Sequence, residues 1–195
     1  MKRTALVNID FINDIVHEKG AFGDHYSAIV KERKVIQRAN EVINFARKNN
    51  ILNVYVKVGF SSDYKEISSN NAFFGKAVEL NAFKLDTWGT EFHPDLDYKD
   101  GEFIIIKNRI SALYATRLEC LLRAQNIDNL IITGVATDLA VQLLARDAVD
   151  RDFKVIICKD ACATFSEEVQ EATLKSLELM TIVVSNNELS TDLLN

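Results

Sequence analysis

Six short apolar runs alternate with segments of helical period along the chain, and that alternation limits the fold more than any other feature. The runs are Thr4–Ile9, Ile51–Val58, Phe103–Ile106, Asn129–Thr133, Phe153–Ile157 and Thr181–Val184. Strands that are apolar throughout, not alternately, are buried on both faces. Strand–helix alternation then predicts an α/β fold of three layers, a mostly parallel sheet covered by helices on both sides. Right-handed crossovers place the carboxyl ends of all strands along one edge. No linker, repeat or low-complexity stretch interrupts residues 1–195, so one domain is expected.

The connections differ in how clearly they read. Phe11 to Asp24 is predicted as an irregular loop, and Ser27 as the cap of a long helix. That helix would bury Val35, Ile36, Ala39, Val42, Ile43 and Ala46. Gly59 to Gly101 shows no period, and a connection so long has a function in most compact domains. Its Phe73, Phe74, Phe83 and Trp88 give it apolar side chains with which to pack down. Ser111 is predicted to cap a helix burying Leu118, Leu121 and Leu122. The helix after the fourth strand is predicted to bury Val141, Leu144, Ala145 and Ala148. Thr164 with Glu167 three residues on has the form of a capping box.

Charge and composition exclude some roles. The net charge is −5 with no basic run, which argues against nucleic acid and anionic membranes as partners. No apolar run approaches the ~20 residues of a spanning helix. Met1-Lys2-Arg3 leads straight into a strand pattern and not into a secretory signal, so a cytoplasmic location is expected. Three cysteines, Cys120, Cys158 and Cys162, suggest no disulfide framework. Cys120 is placed on the apolar side of its helix, and all three read as residues without chemistry.

Polar residues at strand ends are where chemistry would lie. Asp10 follows the first strand, Lys107 ends the third, and the turn Gly134 to Ala140 follows the fourth. A doubly wound sheet can bring these points together. An Asp10–Lys107 pair in a cleft could exchange protons with a substrate. On the residues alone, a solvated or structural role for each stands beside that reading.

The wording around these positions resembles the isochorismatase-like hydrolases. Asn8-Ile9-Asp10-Phe11-Ile12-Asn13-Asp14 is similar to the family's I-D-x-Q-N-D opening. Lys107 to Thr116 resembles K-x-x-x-S-A-F-x-x-T, and Gly89 to Pro94 resembles G-T-E-[IL]-H-P. Gly134-Val135-Ala136-Thr137-Asp138 matches G-V-A-T-[DN], Ala145-Arg146-Asp147-Ala148 matches A-R-D-A, and Asp160-Ala161-Cys162 is similar to the motif after the fifth strand. The resemblance spans the chain in order. It implies a Rossmann-like parallel six-stranded sheet of order 3-2-1-4-5-6. For the amidases of the family it implies an Asp that moves the proton, a Lys that orients, and a Cys whose thiolate attacks a carbonyl. It also implies an oxyanion site of backbone N–H groups beside a cis peptide. By motif position these fall on Asp10, Lys107 and the Val135–Ala136 bond.

The nucleophile position is occupied by Ala140, and a methyl group cannot attack. Cys162 lies nearest in motif order and would be a remote substitute. Three readings follow: a hydrolase working through Asp10 and Lys107 without a thiol, a non-catalytic small-molecule binding protein, and an amidase whose Cys has been exchanged for Ala. The turn does not read G-V-Y-A-H, so isochorismate itself is not favoured as substrate. The D-x-H metal motif of the nicotinamidase branch has no counterpart in Gly59 to Tyr64, and His17, His25 and His93 cannot rebuild it. No metal and no cofactor are expected. His93 reads as a loop-packing residue, and His17 and His25 as solvated or at a pocket rim. Phe11, Trp88, Tyr114 and Thr137 are expected near the cleft as substrate contacts, Asn13 and Asp14 as braces of the first loop. The partners expected are a small-molecule substrate and further copies of the chain in a homo-oligomer.

Overall fold

The computed structural model describes residues 3–195. Its strands are β1 (Arg3–Ile9), β2 (Leu52–Val58), β3 (Phe103–Lys107), β4 (Ile127–Val135), β5 (Lys154–Ala163) and β6 (Ile182–Val184). They form one parallel sheet of order β3-β2-β1-β4-β5-β6. The helices are α1 (Asn13–Val16), α2 (Gly23–Glu32), α3 (Val35–Lys48), α4 (Ala72–Glu79), α5 (Leu118–Ala124), α6 (Gln142–Val149) and α7 (Glu167–Leu177). The fold is therefore the three-layer α/β arrangement read from the alternating pattern.

Successive residues of β1 serve opposite layers. Leu6 packs with Val35, Ala39, Val42 and Ile43 of α3 on one face. Ala5, Val7 and Ile9 pack with Leu118 and Leu122 of α5 and with Leu144 and Ala148 of α6 on the other. Val141, Leu144, Ala145 and Ala148 are all buried, as their spacing predicts.

Several local expectations need correction. Phe11 to Asp24 contains the single turn α1 and the start of α2, so it is not an irregular loop. Ser27 lies inside α2, and the long helix is two. Arg33 ends α2, and Lys34 adopts a left-handed conformation (φ 55°). That one residue redirects the chain so that Val30 and Val35 are both buried. Gly59 to Gly101 contains α4, whose Asn71 side chain caps it by accepting from the Phe74 N–H. Ser111 caps no helix; it binds the Asp147 carboxylate across the layer, and α5 starts only at Leu118. Leu121 is only partly buried and Cys120 is exposed, because so short a helix buries just Leu118 and Leu122. The cap of α7 is Ser166, which accepts from the Val169 N–H. Thr164 instead gives its hydroxyl to Asp138.

β1 and β4 meet at the point where the chain reverses its direction of winding. Gly134 there lies opposite Ile9 and has φ 149°. A Cβ on it would sit 2.5 Å from the Ile9 carbonyl oxygen and 2.7 Å from the Ile9 Cβ, both fixed parts of the central strand. Gly134→Ala is expected to cost roughly 2–4 kcal/mol of stability through overpacking and backbone strain. The check is the urea midpoint at constant slope; an unchanged midpoint would mean that the two strands part freely.

Candidate active site

Three strand ends build the site. Asp10 leaves β1 in a left-handed conformation (φ 57°), which short polar side chains tolerate better than most. Its backbone N–H still donates to the Val56 carbonyl (2.8 Å), and its Oδ1 accepts from the Val58 N–H (2.8 Å). The carboxylate thus extends the hydrogen-bond ladder of the sheet. Lys107 lies at the end of β3, two strands away. Its side chain crosses the end of β2 and places Nζ 2.8 Å from Asp10 Oδ2. The Lys107 carbonyl accepts from Gly59 N–H, and Asn108 Nδ2 donates to the Gly59 carbonyl. Both partners are buried, Asp10 at 3% and Lys107 at 2% exposure.

Burial and pairing pull the Asp10 carboxyl in opposite directions. Loss of water favours the neutral acid; the Lys107 charge and the Val58 N–H favour the carboxylate. Burial prevails, and the Asp10 carboxyl is held above the usual carboxylate range. A carboxyl raised in this way binds a proton more readily than a solvated carboxylate, which suits it to taking a proton up and handing it on.

After β4 the Val135–Ala136 peptide is cis. A π-type turn follows over Thr137–Val141, with the Val141 N–H reaching back to the Ala136 carbonyl (3.2 Å). Val135, Ala136 and Ala140 face the same cavity as Asp10 and Lys107. That cavity has a volume of about 540 Å³. Its floor is the acid–lysine pair and the turn. Its walls come from the connections: Ile15, Phe22 and Tyr26 from the first, Phe73, Phe74 and Phe83 from the second. Ile110, Leu139 and Phe165 complete it, and His25 stands at the mouth.

The four residues expected as substrate contacts do not line this cavity. Phe11 is sealed in the core at 1% exposure, and its carbonyl accepts from the His93 N–H. Trp88 is 45% exposed and packs edge-on against His17. Tyr114, 60% exposed, borders a separate surface depression with Arg109 and Arg146. Thr137 is wholly buried within the turn.

The bracing residues act as their types suggest. Asn13 Nδ2 donates to the Trp88 carbonyl (2.9 Å). Asp14 accepts from the Phe83 N–H (2.7 Å) and the Ala21 N–H (3.4 Å). His93 packs in its loop, its Nδ1 accepting from the Asp95 N–H. In the segment after β2, Ser61 Oγ lies 2.7 Å from a carboxylate oxygen of both Asp63 and Glu66, and its single proton bonds one or the other. Among the described residues no three His, Cys, Asp or Glu side chains gather as a metal-ligand set.

Cys162 is not a substitute nucleophile. It is fully buried opposite Gly134, its thiol directed at the Ile132 carbonyl (3.9 Å) and pushed up to about 12 by burial. Cys158 is also buried, with its thiol raised for the same reason. Neither lines the cavity.

The aromatic walls were not legible as a site. Their one sequence signal was the density of Phe between Gly59 and Gly101, which reads equally as packing. Phe22 and Phe83 are 61 positions apart in the chain, yet their rings stack 5.0 Å apart at 10°.

A parallel sheet of this order, with a buried acid–lysine pair at its winding reversal, defines a Rossmann-like α/β protein with an active-site-like cleft. A model of the Isochorismatase domain matches residues 4–188. The uncharacterized isochorismatase family protein YwoC of Bacillus subtilis is 30% identical over 176 residues, 89% of this chain and 85% of that protein. The ureidoacrylate amidohydrolase RutB of Agrobacterium fabrum is 26% identical over 188 residues, 90% of this chain and 82% of that protein. The crystal structure of an isochorismatase-like hydrolase from Alkaliphilus metalliredigens superposes with a TM-score of 0.79 at 27% identity, covering 95% of this chain and 96% of that one. The chain belongs to the isochorismatase-like hydrolase family. Among the described residues, no helix is long and apolar enough to cross a membrane.

Proposed function

We propose that this protein hydrolyses a small molecule by proton transfer through Asp10, with Lys107 as its partner and without a thiol nucleophile. The observation that carries this reading is the Asp10–Lys107 pair at the floor of an apolar cavity, beside the methyl group of Ala140. A buried pair of this kind is costly to fold around, and a purely structural role would be served as well by apolar side chains.

In this reading the Asp10 carboxylate, held beside Lys107, takes a proton from a water molecule as that water adds to the electrophilic carbon. Asp10 then gives this proton to the leaving atom as the scissile bond breaks. One water is consumed, one bond is broken, and the carboxylate is restored. Removing bulk water from the cavity strengthens each of these interactions. Backbone groups of the Val135–Ala136 turn border the space in which charge would develop.

Asp10→Asn keeps the shape and the acceptor for the Val58 N–H but cannot carry the proton. Turnover of any substrate the native chain hydrolyses is expected to fall by roughly 10²–10⁴-fold, read at a temperature where circular dichroism shows the variant folded, because the buried Lys107 loses its opposite charge and the thermal midpoint falls with it. Retained turnover in that variant would rule out the mechanism. Ligand binding with no product in either chain, followed by mass spectrometry, would assign the cleft to a binding protein.

A further inference from the structure

Two histidines meet outside the cleft, between the two connections that form its walls. His17 ends α1 in the first connection, and His93 belongs to the second. Their rings lie 5.4 Å apart at 38°. Each ring is held by its own loop through Nδ1. His17 Nδ1 accepts from the Lys19 N–H (3.1 Å), and His93 Nδ1 accepts from the Asp95 N–H (3.2 Å). A ring nitrogen that accepts uses its lone pair, so in this arrangement each imidazole is the neutral form with its proton on Nε2. A second proton can enter only at Nδ1. It turns the acceptor into a donor that faces an N–H, so protonation breaks the loop bond as well as adding a charge.

The contact sits where the connections are joined. The His93 N–H donates to the Phe11 carbonyl, the Asn13 N–H donates to the Glu91 carbonyl, and Ile12 bridges Phe92. Ile15, two residues before His17, lines the cleft itself. The charged groups that share the outer depression with the pair are Glu18, Lys31 of α2, Lys34 at the bend, and Asp95; α3 contributes the neutral Gln37. Lys57 of β2 lies over the neighbouring Phe92 ring. Asp95 Oδ2 stands 4.0 Å from His93 Nδ1, but the Asp95 side chain is 80% exposed and water screens it, whereas the His93 side chain is 14% exposed. Burial, opposed by Asp95 and assisted by charge on His17, holds the His93 imidazole below the ordinary histidine value.

We propose that the His17–His93 contact is a pH-sensitive latch between the two wall-bearing connections. While His93 is neutral the connections stay closed on each other. Protonation frees the Asp95 N–H, sets a charge against His17 and lets the second connection ease away from the first. Asp14 still holds the Phe83 and Ala21 backbones, so the walls loosen and do not part. His93 binds its proton less tightly in the folded chain than in the unfolded one. The latch therefore stabilises in full above the ordinary histidine value and is lost as pH falls through the folded one. It governs the walls whatever chemistry the floor performs, and so goes beyond the hydrolase reading.

The test is an NMR titration of the native full-length chain from about pH 8 to about pH 5. It follows the His93 ring, the Asp95 amide, the indole of Trp88 and the Ile15 methyl inside the cleft. Trp88 is the only tryptophan and packs against His17, so it reports the contact directly. All four signals are expected to share one midpoint below 6.5. His93→Asn keeps an oxygen for the Asp95 N–H and cannot take the charge, so its Trp88 and Ile15 steps are expected to vanish. His17→Asn removes the like charge and should raise the His93 midpoint by roughly half a pH unit. A His93 midpoint at or above 6.5 would overturn the inference. So would Trp88 and Ile15 steps that persist in His93→Asn, which would belong to His17 or Asp10. An Asp95 amide that does not move with the His93 ring would overturn it too, and the native chain supplies that readout even if His93→Asn fails to fold. No turnover is read, so a chain that hydrolyses nothing can still carry the latch, and a chain without the latch leaves the hydrolase reading intact.

Discussion

Ala140→Cys is expected to turn this cleft into a reactive thiol site. The new side chain would enter the cavity that already holds Asp10 as proton acceptor and Lys107 as neighbouring cation. A thiol there should ionise more readily than a free cysteine, and a low-pKa thiolate at a concave site is the form that attacks electrophiles. Alkylation by iodoacetamide at pH 7, located by mass spectrometry, should be roughly tenfold or more faster at position 140 than at Cys120. Cys120 is the exposed native thiol and serves as the internal reference, while Cys158 and Cys162 are buried. Asp10→Asn in the same chain should remove the advantage. Hydrolysis of a primary amide, expected to rise on the substitution, is the second readout. If the variant has neither a fast thiol nor amide turnover, the cleft is not laid out to receive a nucleophile at that position.

Lys107→Met is expected to be the most damaging single change for stability. It leaves the Asp10 carboxylate buried without its partner, a situation that costs about 3–5 kcal/mol. The pH dependence has a definite sign. Asp10 is already raised in the folded chain, so the folded state holds its proton more tightly than the unfolded one. Its contribution is present in full below the unfolded carboxyl pKa and is lost as pH rises through the folded value. Removing Lys107 takes away the positive charge that most favours the carboxylate, so the folded value moves further up and the loss grows. Denaturant unfolding of Lys107→Met should show a deficit that is largest at alkaline pH and shrinks on acidification, as Asp10 becomes neutral. Asp10→Asn combined with Lys107→Met should recover most of it. A deficit independent of pH, or unrepaired in the double variant, would attribute the damage to lost packing of the lysine stem.

The strands and the polar residues at their ends were legible because short-range sequence sets both; the strand order and the pairing of Asp10 with Lys107 were implied by the family resemblance. Continuous apolar runs such as Leu130–Thr133 mark strands buried on both faces, and polar residues directly after them, Asp10 and Lys107, mark the active edge. The walls were not legible, because they arise from contacts between distant segments. Nothing local to Phe22 announces Phe83 as its partner, and nothing in the motif around Tyr114 says that its ring points outward. Helix boundaries failed for a related reason. The break at Lys34 is dictated by the burial of Val30 and Val35 and not by a glycine or proline. Ser166 and Thr164 are both good capping residues; the second was drawn off by Asp138, which only the folded chain brings near.

The Asp14 carboxylate carries a wider consequence. It holds the backbone of Ala21, next to Phe22, and the backbone of Phe83, and it leaves no room for a Cβ at Gly89. Two wall segments from different connections are thus moored to one side chain that is itself outside the cleft. The floor belongs to the sheet and the walls belong to this mooring. Exchanging aromatic residues on the walls can reshape the chamber without touching a strand, so lineages sharing one floor can drift in what they accept while the acid and the lysine stay where they are.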